Sequence, residues 1–212
     1  GYEVVNHSHP LIRFLAEKMA NEQHHPVVST QIDSSDLELA SGDYFFVARR
    51  WSTTGAKTEE RLVTRAINIQ TGMSIHPDDA EKLINHATHK ATDWPGVVSS
   101  ISSSDLEMAF NDLEDQLDRE FDQYQAEMAI ENSDRIEFLL NTLRQKTDRD
   151  IAVQQGVIDR YRASGNLKMV PAAEGRIRKH RERFEIKEAE LNTRRTISSE
   201  PRDVISGVIH VQ

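Results

Sequence analysis

Apolar positions at Leu106, Phe110, Leu113, Leu117, Phe121, Tyr124 and Met128 recur at alternating steps of three and four. That period puts them on one stripe of a helix and predicts a coiled-coil-like seam, too narrow to be a globular core by itself. Ile136, Leu140 and Leu143 resume the stripe, it weakens from Thr147 to Gln155, and Val157, Ile158 and Tyr161 recover it. Gly165, Asn166, Pro171 and Gly175 supply the breakers of a turn, after which Ile177, Phe184 and Leu191 recur at sevens. The expectation is an arm that goes out along 104–164 and returns along 174–195. At 1.5 Å per residue these limbs would span about 90 Å and about 33 Å. The return limb cannot cover the outgoing one. Either the first part of the outgoing limb lies on the body, or the chain bends near Asn132-Ser133-Asp134.

Before the arm the periodicity changes. Pro10 and the apolar Leu11, Ile12, Phe14, Leu15 and Met19 predict a helix to Glu22, and Val27 to Ile32 reads as a strand. Tyr44 to Trp51 and Arg61 to Ile69 are rich in β-branched and aromatic residues, and Thr53-Thr54-Gly55-Ala56-Lys57 separates them. They predict an antiparallel hairpin with a long mobile tip, 52–58. Pro77, Asp78 and Asp79 open a second helix with inner face Ala80, Leu83, Ile84, Ala87 and Ala91, and Trp94-Pro95-Gly96 stops it. Ser104 and Glu107 form a capping-box pattern at the start of the arm. Val204 to Val211 is again strand-like and is expected to rejoin the sheet. The fold class is therefore α+β: a small mixed or antiparallel sheet with flanking helices and an inserted antiparallel helical arm. Residues 1–102 with 203–212 make the body, and 103–202 the arm.

Charge divides the arm. From Asp105 to Asp150 there are fourteen acids against five Lys or Arg, whereas Lys168 to Arg195 carries nine Lys or Arg against five Glu. Arg176, Arg178, Lys179, Arg181 and Arg183 could form a strip for phosphate, or could face the acidic limb or solvent. On the hairpin, Arg49, Arg50, Lys57, Arg61 and Arg65 are offset only by Glu59 and Glu60, and Arg49 shares a strand face with Trp51. A guanidinium beside an indole can stack a base or grip phosphate. The primary candidates for contact with nucleic acid or a partner are thus Arg49, Arg50, Trp51, Lys57, Arg61 and Arg65. Arg176, Arg178 and Arg181 are secondary.

The totals narrow the function classes. With 212 residues and a net charge of -9, any nucleic-acid contact has to be local. Absence of cysteine excludes a thiol nucleophile, a disulfide and a cysteine-ligated metal. No apolar run approaches the roughly 20 residues of a membrane span, so a cytoplasmic chain without a membrane partner is expected. Phosphate-binding loops, dinucleotide fingerprints, zinc-protease, nucleophile-elbow and calcium-loop patterns do not occur. His86 and His89, with His76 nearby, lack a further ligand at a recognised spacing, and His7, His9, His24 and His25 crowd the first helix. No catalytic, cofactor or metal residue is therefore expected.

Ser8-His9-Pro10-Leu11-Ile12-Arg13 opens a helix, Gly42-Asp43-Tyr44-Phe45-Phe46-Val47 opens a strand, a charged helical arm follows, and an apolar strand comes after Arg194-Arg195. Glu174-Gly175-Arg176-Ile177-Arg178 marks the return limb. This order resembles the C-terminal region of bacterial SWI/SNF-type helicase-like ATPases, of which the RapA RNA-polymerase-associated type is the best-known branch, and of related phage-defence helicases. The resemblance implies a non-catalytic accessory or regulatory domain of a nucleic-acid translocase. Its partners would be duplex nucleic acid, RNA polymerase or another protein, and its own motor lobes. ATP and magnesium would belong to a motor absent from this sequence, which also lacks an initiating Met. Two other classes stay open: a free-standing coiled-coil scaffold, and an enzyme with an unmarked active site.

Overall fold

The computed structural model describes residues 26–33, 37, 39–96 and 100–212. The expected first helix, Pro10 to Glu22, and the histidines around it lie outside the described residues. The described elements are β1 (Val27–Ile32), β2 (Gly42–Thr54), β3 (Thr58–Asn68), β4 (Met73–Ser74), α1 (Pro77–Lys90), β5 (Thr92–Asp93), α2 (Ser103–Ala163), a 3-10 turn (Leu167–Met169), α3 (Val170–Thr193) and β6 (Ser198–Val211). The α+β class and the return of the last strand are as the sequence predicts.

The strands form one sheet in the order β4-β3-β2-β6-β1-β5. It is mixed: β1 runs parallel to β6 from Val27↔Ser206 to Ile32↔Val211, while β5 and β4 pair antiparallel with β1 and β3. Gly207 sits opposite Val28, and a Cβ there would come within 2.0 Å of the Val28 carbonyl oxygen. Only glycine permits that approach. In the β2–β3 hairpin, Gly55 bonds Lys57 at the tip and Ile69 bonds Asp43 at the base, both pairs centred on Ala56. The ladder therefore closes without a net bulge.

By contact density the described chain divides into two compact units, one within Gly1–Trp51, Arg61–Phe121 and Pro201–Gln212, the other Ser52–Glu60 and Asp122–Glu200. In the first, the sheet is covered on both faces, which explains why β2 is buried almost continuously rather than alternately. Tyr44, Phe46, Ala66, Ile209 and Val211 meet Ala80 and Leu83 of α1. On the other face, Phe45 packs edge-on against Phe110, and Trp51 against Phe121 at 5.5 Å between ring centroids. Leu113 and Leu117 are wholly buried. The first part of the outgoing limb thus lies on the sheet, the first of the two solutions that limb lengths allow. Asn132-Ser133-Asp134 does not break the helix, which runs on to Ala163.

In the second unit, α3 returns antiparallel along the distal part of α2. Ile158, Val170, Ala173 and Ile177 form its core, with Ile151, Val157 and Tyr161 against them. Two helix starts differ from expectation. Ser102, not Ser104, caps α2, its Oγ accepting from the Asp105 backbone N–H at 3.1 Å. α3 begins at Val170 rather than near Glu174, because Pro171 falls in its first turn, where a missing N–H leaves no bond unmade. The turn before it is made by Gly165, at φ +72°.

Candidate nucleic-acid interface

Alternation along β2 sends Arg49 and Trp51 to the face that α2 covers. Arg49 is 5% exposed and its guanidinium is enclosed by carboxylates. Nη2 donates to both Glu114 oxygens at 2.6 and 2.7 Å, Nε to Asp203 Oδ1 at 2.5 Å, and Nη1 to Asp118 Oδ1 at 3.4 Å. Burial acts to lower the Arg49 pKa, but hydrogen bonds and charge from Asp203 and Glu114 outweigh it and hold the group more firmly protonated than usual. All three of its nitrogens donate to these acids, so this side chain joins β2, α2 and β6. The expectation that Arg49 and Trp51 form an open stacking pair is corrected by the same geometry: their shared face is interior, and the Trp51 ring is 2% exposed against Phe121.

Arg65 follows the same rule on β3. Its Nε and Nη2 grip Glu120 Oε1 and Oε2 at 3.0 and 2.5 Å, and Nη1 donates to the Thr64 carbonyl at 2.7 Å. Burial alone would raise the Glu120 carboxyl. Hydrogen bonds from Arg65 and Gln116, with the charges of Arg65 and Arg61, outweigh it and hold the group below its ordinary value. Arg50 is half-buried, and Arg61 is exposed. At the tip, exposed Lys57 donates to Glu59 Oε1 at 2.9 Å, which lowers the Glu59 pKa.

That tip is short and held, where the sequence suggests a long mobile loop. Strand pairing continues to Thr54 and resumes at Thr58 because Thr53 is buried, its hydroxyl 3.0 Å from Ser199 Oγ and 3.4 Å from Tyr124 Oη. Asn132 of α2 then fixes the turn. Its Oδ1 accepts from the Ala56 N–H at 2.8 Å, and its Nδ2 donates to the Arg194 and Arg195 carbonyls, both at 2.9 Å. A Cβ on Gly55 would stand 2.5 Å from Asn132 Oδ1. Sequence reasoning treats Asn132 only as a candidate bend. A buried polar residue inside a helical seam is the signal that could have found it.

Sequence reasoning gives no site role to Asp43, Gln70, Trp94 or His210, which the fold brings together. Gln70 donates to Asp43 Oδ2 and accepts from its backbone N–H at 3.1 Å, His210 Nδ1 lies 2.6 Å from Asp43 Oδ1, and the imidazole stacks on Trp94 at 4.5 Å. His76 caps α1 by accepting from the Asp78 N–H at 3.3 Å. Among the described residues no three His, Asp or Glu side chains are grouped to hold a metal ion.

On α3 the cations are outside. Arg176, Arg178 and Arg181 are exposed, as are Lys179, Arg183 and Lys187. Arg176 Nη1 donates to Gln154 Oε1 at 3.4 Å, and Arg178 lies 3.9 Å from Glu182. Exposed pairs at such distances contribute little, about 0–1 kcal/mol. Of the six primary candidates, Arg49, Trp51 and Arg65 are therefore structural, while Lys57 and Arg61 and the secondary set Arg176, Arg178 and Arg181 are open to solvent. No protein-family model matches the chain, and no curated protein matches it.

Proposed function

We propose that this chain is a non-catalytic accessory module of an ATP-dependent, helicase-like nucleic-acid translocase, working in the cytoplasm and docking through its arm. The observation that carries the reading is the order of elements. A strand opened by Gly42-Asp43-Tyr44-Phe45-Phe46-Val47 is followed by a long helical excursion and then a last strand that rejoins the sheet beside β2. The same order underlies the resemblance to the C-terminal region of SWI/SNF-type ATPases. The titratable clusters support it as well, since Arg49 and Arg65 spend their donors on internal carboxylates. Among the described residues no helix is long and apolar enough to cross a membrane.

The gene supplies the test. A reading frame continuing upstream of Gly1 into a phosphate-binding lysine loop and a DEAH-type magnesium box supports the reading; an upstream frame without a motor rejects it. ATP hydrolysis above background by the purified chain would remove the non-catalytic part. Exposed Phe138 and Ile186 on the arm favour a second reading, a coiled-coil scaffold. Sedimentation at micromolar concentration separates the two, since a scaffold would dimerise through the arm.

A further inference from the structure

The helical hairpin of the second unit has two flanks, and its cross-contacts identify them. On one flank Arg176 reaches Gln154, and His180 Nδ1 lies 3.7 Å from Asp150. On the other, Arg144 lies 3.7 Å from Glu188, and Arg162 3.6 Å from Glu174. At 3.6 residues per turn, Arg176, Lys179, Arg183 and Lys187 fall within an arc of about 80° on the first flank. Arg178 and Arg181 point about 150° away, among Glu174, Glu182 and Glu185. The same rotation applied to α2 places Lys146 and Arg149 on the first flank, next to Val153. All six cations there are exposed. Lys146, Arg149, Lys179, Arg183 and Lys187 make no ion pair with any described residue. Two acids lie near this flank: Asp150, 3.7 Å from His180 Nδ1, and Glu190, which is paired with Arg194.

We infer that this flank is a binding surface for the phosphate backbone of duplex nucleic acid. Four α3 cations spread over about 17 Å, one every 5 or 6 Å along a straight element. A duplex offers one negative charge per roughly 1.7 Å of axis, so a rod of this spacing finds phosphates without needing a particular sequence. The six positions contain no aromatic ring. Single-stranded binding relies on stacking platforms, and none is supplied here. An otherwise acidic chain keeps the contact local and orients it. This deepens the accessory-module reading by naming the surface and the ligand.

The test uses the full chain and a fluorescein-labelled 20-base-pair duplex of arbitrary sequence, read by anisotropy at low salt. Lys179→Glu with Arg183→Glu should weaken binding at least tenfold. Arg178→Glu with Arg181→Glu makes the same charge change on the same helix and should alter it less than threefold. Circular dichroism checks that both variants keep their helix content. Equal loss in the two pairs, no effect of the first pair, or no binding by the parent chain overturns the proposal. So does displacement by poly-glutamate as readily as by unlabelled duplex, which would indicate an acidic protein partner. None of these outcomes depends on what the gene encodes upstream, so this surface and the accessory role can fail separately.

Discussion

Arg49 carries its charge into the interior because three carboxylates from two elements meet it there. Removing only the cation would take away the bidentate partner of Glu114 and the Nε–H bond to Asp203 at the same point. Breaking one side of such a buried pair costs about 3–5 kcal/mol. Arg49→Ala should therefore lower stability in urea unfolding by an amount of that order, while duplex affinity of the folded variant stays within twofold of the parent. A large affinity loss at unchanged stability would restore Arg49 to the interface. Glu120 gives a pH signature. Its folded carboxyl is held below the ordinary value, so its contribution is full above about pH 4.3 and is lost as pH falls through the folded value. The parent chain should lose more stability than Glu120→Gln as pH drops from about 5 to about 3. Parallel urea midpoints across that range would contradict the assignment. Neither role could be read from residue type. An arginine on an alternating strand looks the same whether a helix covers its face or water does, and the covering helix arrives more than fifty residues later.

Elements were the most legible scale. The α2 stripe, the β2–β3 hairpin, the α1 start at Pro77 and the strand at 204–211 all follow from periodicity and caps, since each is set by neighbours within a turn or two. The strand boundaries that moved did so through contacts distant in sequence. β2 and β3 extend toward the tip because Thr53 finds Tyr124 and Ser199, and the turn is fixed by Asn132. Replacing Asn132 with Ala would remove its bonds to the half-buried Ala56 N–H and to the Arg194 and Arg195 carbonyls, and a polar group orphaned out of reach of water costs about 1–3 kcal/mol. Amide exchange at Ala56 should accelerate in that variant while exchange in the α1 unit does not. Unchanged protection at Ala56 would mean the clasp is incidental. In the helical hairpin, Ile158→Ala should destabilise by about 2–5 kcal/mol, the range for emptying a buried site, whereas Phe138→Ala should stay within about 0.5 kcal/mol. A stability loss in thermal or urea unfolding that is equal for the two would show that the seam has been assigned to the wrong face.

At the scale of the molecule, the sequence separates an acidic outgoing limb from a basic return limb, and the structure divides the basic residues further. On the hairpin strands Arg49 and Arg65 serve the interior, whereas six cations on one flank of α2 and α3 face solvent, five of them without an ion pair to any described residue. Composition could not make that distinction, because it depends on which strand face a helix covers and on how two helices are rotated about their common seam. The binding proposed for this acidic chain is to duplex nucleic acid, through a small number of phosphate contacts on the arm. Its most direct test is the salt dependence of duplex affinity for the unaltered chain. About four phosphates neutralised by the α3 stripe predict that log K falls against log salt concentration with a slope of about -3.6. A slope near zero, or no measurable affinity at low salt, would contradict it.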